Sequence, residues 1–250
     1  MGRIGGLLAF VTALASPLAA GAEEPAAKAA EPASAAYARL DARVRDGRIA
    51  RDAARREVAR LVPLLAAEHA AGRCAVSPRD GWAFPLAGYD AGAIGGRRGS
   101  GYQPAGYDWF DGNRHGGHPA HDLFIRDRDQ DGRDDRTGAA VVVRSVSSGL
   151  VVALNEEWDA ASPLRGGKYV WVYDPASGGL FYYAHLARVA VAVGACVVAG
   201  TPLGEVGRTG VNAAKRRSPT HLHLMSLAVV EGAPRPRDLY RDLVRAGRAR

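Results

Sequence analysis

The sequence predicts a mainly β protein, an antiparallel sheet preceded by a short α-helical segment. Three observations carry that expectation. From Trp82 onward, short runs rich in Val, Leu and Tyr recur between Gly, Pro and Asp turn signals, the texture of strands joined by tight connections. Between Tyr37 and Ala71, apolar residues recur at helical spacing. The chain has 250 residues, 47% hydrophobic and 24% charged, which suits one or two folded domains and excludes a polytopic membrane protein or a wholly disordered chain.

Residues 1–22 read as a secretory signal peptide. Arg3 precedes an apolar run from Ile4 to Ala15, and Ala20-Gly21-Ala22 stands ahead of Glu23 as a small-x-small cleavage site. The run is shorter than the roughly 20 residues that cross a bilayer. No stable membrane span is therefore expected after cleavage, and the expected location is exported, in the periplasm or cell envelope. Residues 23–36 are rich in Ala, Pro and Glu without a hydrophobic period and read as a linker.

Residues 37–73 form the helical segment. Leu40 and Val44 are four apart, and Asp46-Gly47 breaks the run. From Ile49 to Ala71, Val58, Leu61, Val62, Leu64 and Leu65 share one broad face, Gly72 is a natural stop, and Pro63 is expected to kink or interrupt the helix. The arginines here are interleaved with Asp and Glu and not with aromatic residues. That is the pattern of a solvated helix face, so no nucleic-acid partner is expected. The formal net charge of +7 suits contact with anionic wall polymers.

Residues 74–232 form the β domain, and 233–250 read as a basic tail. Val141–Val146 and Leu150–Leu154 flank Ser147-Ser148-Gly149 as a hairpin. Tyr169–Tyr173 and Leu180–His185 flank a second turn, Asp174 to Gly179. Val189–Val193, Cys196–Val198 and Leu203–Val206 are short strands, and His221–Val230 is the last. An oxidising compartment permits a Cys74–Cys196 disulfide, while two unpaired buried thiols fit the sequence as well.

The histidines carry the chemistry. Three groups stand out: His115-Gly-Gly-His118-Pro-Ala-His121-Asp122, then Tyr182-Tyr183-Ala184-His185-Leu186, then Thr220-His221-Leu222-His223. Side chains alternate on a strand, so His221 and His223 share a face. The spacing of His118 and Asp122 also places both on one face. His118, Asp122 and His223 can together supply two imidazole nitrogens and a carboxylate oxygen, a common ligand set for catalytic zinc with a fourth position left to water. His185 and His221 then stand beside the metal as proton-transfer groups. No His-Glu-x-x-His motif supplies a glutamate base, and a neutral imidazole can take that role. His115 and His121 are rim residues; on a strand His121 faces away from Asp122.

Asp127-Arg-Asp129-Gln-Asp131-Gly132 matches the front half of a calcium loop. Position twelve is Gly138 and not Glu, and no flanking helix pair is evident. A lone calcium-stabilised loop and a solvated acidic turn both fit the pattern.

The order H-x-x-x-D, then Tyr-Ala-His-Leu, then H-x-H resembles the lysostaphin-type zinc metallopeptidases, or LytM domains. Trp82-Ala-Phe-Pro-Leu-Ala-Gly looks like that family's opening strand. Val197-x-x-Gly200, Leu203-Gly204-x-x-Gly207-x-Thr-Gly210 and Ser218-Pro219-Thr220-His221-Leu222-His223 look like its glycine-punctuated approach to the last metal strand. The similarity covers roughly Trp82 to Val230. It implies a twisted antiparallel sheet with a groove above it. It also implies zinc held by His118, Asp122 and His223, and His185 with His221 as the catalytic pair. The implied substrate is a peptide bond in peptidoglycan stems or cross-links. Two other functions remain open in the family pattern: a non-hydrolytic activator of cell-wall amidases, and a protease of Gly-rich secreted proteins. Members that cleave glycyl-glycine place a Tyr shortly before the first metal His. Here Tyr107 precedes His118 by eleven positions, which leans away from that specificity.

Overall fold

A computed structural model describes residues 1–2 and 31–248. The expected signal peptide and most of the expected linker lie outside the described residues. Glu31–Arg250 forms one unit.

The helical segment begins earlier than its hydrophobic period announces. α1 spans Ala33–Arg45 and buries Tyr37, Leu40, Asp41 and Val44, one face of a 3.6-residue period. α2 spans Arg51–Ala71 and buries Val58, Leu61 and Leu65. It is continuous through Pro63, so the expected interruption is absent. Pro63 lies on the exposed side of the helix, where its ring meets no packed neighbour, while Val58, Leu61 and Leu65 are buried on the other side.

Nine antiparallel strands follow: β1 (Ala120–Phe124), β2 (Val142–Arg144), β3 (Gly149–Asn155), β4 (Lys168–Asp174), β5 (Gly179–Val189), β6 (Cys196–Val197), β7 (Pro202–Val206), β8 (His221–Val230) and β9 (Ala233–Pro236). The main order is β1-β8-β5-β4-β3-β6; β7 pairs with β2 and with the end of β5, and β9 pairs with β8. The expected β4–β5 hairpin and last strand are present. The expected hairpin around Ser147-Ser148-Gly149 is not: β2 pairs with β7, and β3 with β4 and β6. The connection instead crosses the buried interior, where Val146 N–H donates to the Tyr183 hydroxyl at 2.8 Å. Trp82–Gly88 is not a strand either. It runs beside β2 with one bridge, Leu86 to Val143, and Pro85 has no N–H for a continuous ladder. Val189 ends β5, so Ala190–Val193 is no separate strand.

Within the expected 233–250 tail, the described residues 233–248 are part of the fold. β9 extends the sheet beside β8, and α3 (Tyr240–Ala246) buries Leu243, with Leu239 just before it, against the sheet. The positive residues of this stretch conceal an apolar spacing too short to read as an element.

Strand alternation divides the core into two layers. Val170, Val172, Phe181, Tyr183, Leu222 and Leu224 join Trp82, Leu243 and other residues on one face. Tyr169, Trp171, Tyr173, Leu180, Met225 and Leu227 pack against α1 and α2 on the other. Cys74 and Cys196 form a disulfide, with Cα atoms 5.4 Å apart, that ties the segment after α2 to β6. This decides between the two states that the sequence left open.

Candidate metal centre

The site lies on the helix-covered face, at the junction of β1, β8 and β5. Asp122 on β1 is the register partner of His223 on β8, and Ala184 on β5 opposes His223 from the other side. His221 and His223 share the face of Met225 and Leu227, as strand periodicity requires.

His185 does not follow that rule. Leu180, Tyr182 and Ala184 face the helices, and Phe181 and Tyr183 the opposite layer, so simple alternation assigns His185 to the wrong side. The chain corrects this with a bulge: Tyr169 pairs with Ala184 and Lys168 with Leu186, which leaves His185 as the extra residue, at φ +65°. Its ring thereby reaches the cluster, 4.9 Å from the His221 ring and 5.5 Å from the His223 ring between centroids, while Leu186 returns to the other core. Gly210 makes room for it. At φ +106°, a Cβ there would lie 2.9 Å from His185 Nδ1 and would overlap the Arg165 carbonyl.

Oδ1 of Asp122 is the focus. It lies 3.2 Å from His118 Nε2, 3.1 Å from His223 Nδ1 and 3.7 Å from His221 Nε2. His118 precedes β1 and is held by reciprocal backbone bonds to Gln103. Ligand atoms of His118, Asp122 and His223 all lie within 4.8 Å of one another. Thus the structure brings together all five residues that the sequence singled out.

Backbone carbonyls select the tautomers. Nδ1–H of His118 donates to Gly101 O at 2.9 Å, that of His185 to Thr209 O at 2.8 Å, and that of His221 to Pro219 O at 2.7 Å. In each neutral ring Nε2 is then a lone pair. His118 Nε2 and Asp122 Oδ1 are acceptors facing one another, an arrangement relieved by a proton or a cation between them. Accordingly the carboxylate draws the His118 pKa upward. Burial works to raise the Asp122 pKa, but bonds to His118 and His223 outweigh it and hold the group far below the usual carboxylate range. Burial, together with the neighbouring His223 and His221 rings, pushes His185 well below an ordinary histidine. Carbonyl-anchored imidazoles around one ionised carboxylate match the outer-shell pattern of metal sites, so the residues present fit a divalent ion.

The remaining expectations are placed as follows. His121 faces away, as alternation predicts, and is not at the rim as expected: it is buried, its Nε2 lies 2.9 Å from Asp238 Oδ1, and its ring stacks on Tyr102. His115 lies at the rim, edge-on to Tyr107. In the acidic loop, Asp131 is not grouped with Asp127 and Asp129; Asp135 takes that place. The Asp127 carboxylate accepts N–H bonds from Asp131 and Gly132 and the Thr220 hydroxyl, so it braces a turn beside the last metal strand. Arg165 escaped the sequence reading. It lines the groove next to the cluster, and only its Arg-Gly-Gly turn marks it in the sequence.

Residues 128–231 match the model of peptidase family M23. The matched span contains His185, His221 and His223; His118 and Asp122 lie just before it and join through β1. The chain carries a domain of the lysostaphin-type, or LytM, peptidase family. Its mainly antiparallel sheet with an N-terminal helical segment is the fold that the resemblance implied. Among solved structures, it is similar to a LytM protein of Ruminococcus gnavus (26% identity, 52% of this chain and 47% of that one, TM-score 0.41). It is also similar to the catalytic domain of the antimicrobial peptidase lysostaphin of Staphylococcus simulans (24%, 57% and 86%, 0.37) and to a zinc-containing peptidase of Vibrio cholerae (22%, 64% and 39%, 0.40). The matched region spans about half the length of the Ruminococcus protein. Comparison with curated proteins returned no match.

Proposed function

We propose that this chain is an exported zinc-dependent endopeptidase that hydrolyses peptide bonds in peptidoglycan stems or cross-links. The observation that carries the reading is Asp122 Oδ1 facing the ring nitrogens of His118 and His223 at 3.2 and 3.1 Å, donors that a divalent ion would hold together. His118, Asp122 and His223 are the proposed ligands. Zinc bound there lowers the pKa of its water and polarises a scissile carbonyl.

The chain's own contribution is proton handling and orientation. His221 and His185 keep their Nδ1–H bonds to Pro219 and Thr209, so each Nε2 is free to accept the nucleophile's proton or to return one to the leaving amine. The bulge at His185 and the cradle of Gly210 fix where that exchange occurs. The Cys74–Cys196 disulfide supports an oxidising compartment, hence export. Among the described residues no helix is long and apolar enough to cross a membrane.

The test is digestion of purified sacculi by the metal-loaded chain, with released peptides identified by mass spectrometry. The expected result is new peptide termini from wild type and none from His223→Ala. Zinc-loaded wild type that leaves sacculi unchanged would overturn the hydrolase reading in favour of the activator role. Cleavage confined to Gly-rich protein targets would replace the peptidoglycan substrate.

A further inference from the structure

A second cavity adjoins the metal groove, and Arg165 stands where they meet. The cavity lies between α1, the 109–114 turn and the sheet, with walls of Tyr107, Trp171, Tyr182 and Met225. Arg165 and His115 line both spaces. The neighbouring charges are already matched. Arg45 pairs with Asp46 at 2.7 Å, Asp41 accepts the Tyr169 hydroxyl at 2.6 Å, and Asp122 faces three imidazoles.

Arg165 is the exception. It is half-buried, and Nη1 donates to the His115 carbonyl at 2.6 Å. Among the described residues no carboxylate pairs with it. A guanidinium offers five N–H donors in a planar fork, so most of its capacity is unused. Its backbone is nonetheless firmly placed: its N–H donates to Asn113 Oδ1 at 2.8 Å. A fixed cation without a counter-charge in a partly desolvated groove is costly unless a ligand completes it. The fork geometry matches a carboxylate, which it can hold through two parallel bonds.

We infer that Arg165 is a substrate-positioning residue that binds a carboxylate of the substrate peptide at the mouth of the aromatic cavity, beside the metal cluster. This rests on the peptidase reading above, and peptidoglycan stem peptides carry free carboxylates. The aromatic walls then accept the apolar part of the same residue.

The test uses one stem peptide in two forms, with its free carboxylates intact or converted to carboxamides. Wild type is expected to prefer the acid by about tenfold in kcat/KM, mainly through KM, as a charge-assisted pair would give. Arg165→Met should bring the ratio close to one, and Arg165→Lys should restore part of it. A purely structural role would lower turnover of both forms alike and leave the ratio intact. An equal ratio in wild type and Arg165→Met, or no preference in wild type, overturns the inference while the peptidase reading stands. Should wild type cleave neither peptide, the stem peptide is not its substrate, the sacculus test decides the peptidase reading, and binding decides the inference alone. N-acetyl-D-alanine should then shift the Arg165 guanidinium NMR signal while its amide does not; the same response to both overturns it.

Discussion

Asp122 and His223 are direct cross-strand partners on β1 and β8, and this pairing sets Oδ1 3.1 Å from Nδ1. The two residues are 101 positions apart in the chain, so the sheet register, and no local motif, creates the contact. Replacing His223 by Ala removes one donor and leaves the carboxylate with too few partners for tight binding. Metal analysis of the purified protein is expected to fall from about one zinc per chain to almost none, with loss of sacculus digestion. Retained zinc together with retained digestion would remove His223 from the ligand set.

His221 presents a different case, because its ring is anchored to Pro219 and its Nε2 is the more distant from Asp122, at 3.7 Å. His221→Ala should keep the zinc and lower kcat by about 10²–10⁴-fold, the range for loss of a general acid or base. Parallel zinc and rate measurements distinguish this outcome from ligand loss.

The disulfide joins residues 122 positions apart. Constraining so long a loop disfavours the unfolded chain, and the typical loss on removing a native bridge is about 2–5 kcal/mol. In thermal unfolding, reduced wild type and Cys196→Ala should share one Tm, lower than that of oxidised wild type. An unchanged Tm would mean that the bridge adds no stability.

Asp41 gives a pH dependence of defined sign. It lies on the buried face of α1, accepts the Tyr169 hydroxyl, and burial raises its pKa from 3.8 to about 6. In that window the folded state holds a proton that the unfolded chain has released, so this group's contribution to stability falls as pH rises from about 4 to 6. The full difference is about 3 kcal/mol. Denaturant titrations across pH 4–7 should show the decline in wild type and a flatter profile in Asp41→Asn. Parallel profiles would exclude Asp41 as its source.

Local patterning revealed much of this protein and misjudged it where distant parts of the chain intervene. The β4–β5 hairpin and β8 were legible because aromatic and aliphatic runs ended at clear turn signals, and His221 and His223 could be assigned a shared face from a period of two. Pro63 looked like a break because its exposure on the far side of α2 depends on what packs beneath. The 147–149 turn looked like a hairpin because adjacency along the chain says nothing of the β7 and β4 strands that claim its flanks. The C-terminal stretch looked like a tail because β9 exists only as a partner of β8.

By itself, the sequence determined the mainly β class, the candidate residues His118, Asp122, His185, His221 and His223, and the capacity for a bridge between two cysteines. These follow from residue chemistry and short-range period. Tertiary structure alone decided that Asp122 meets His223, that a left-handed bulge turns His185 across the sheet, that the cysteines are joined, and that Arg165 stands uncompensated beside the cluster. Register, bulges and charge pairing depend on which strands become neighbours, and that is settled by burial over the whole core.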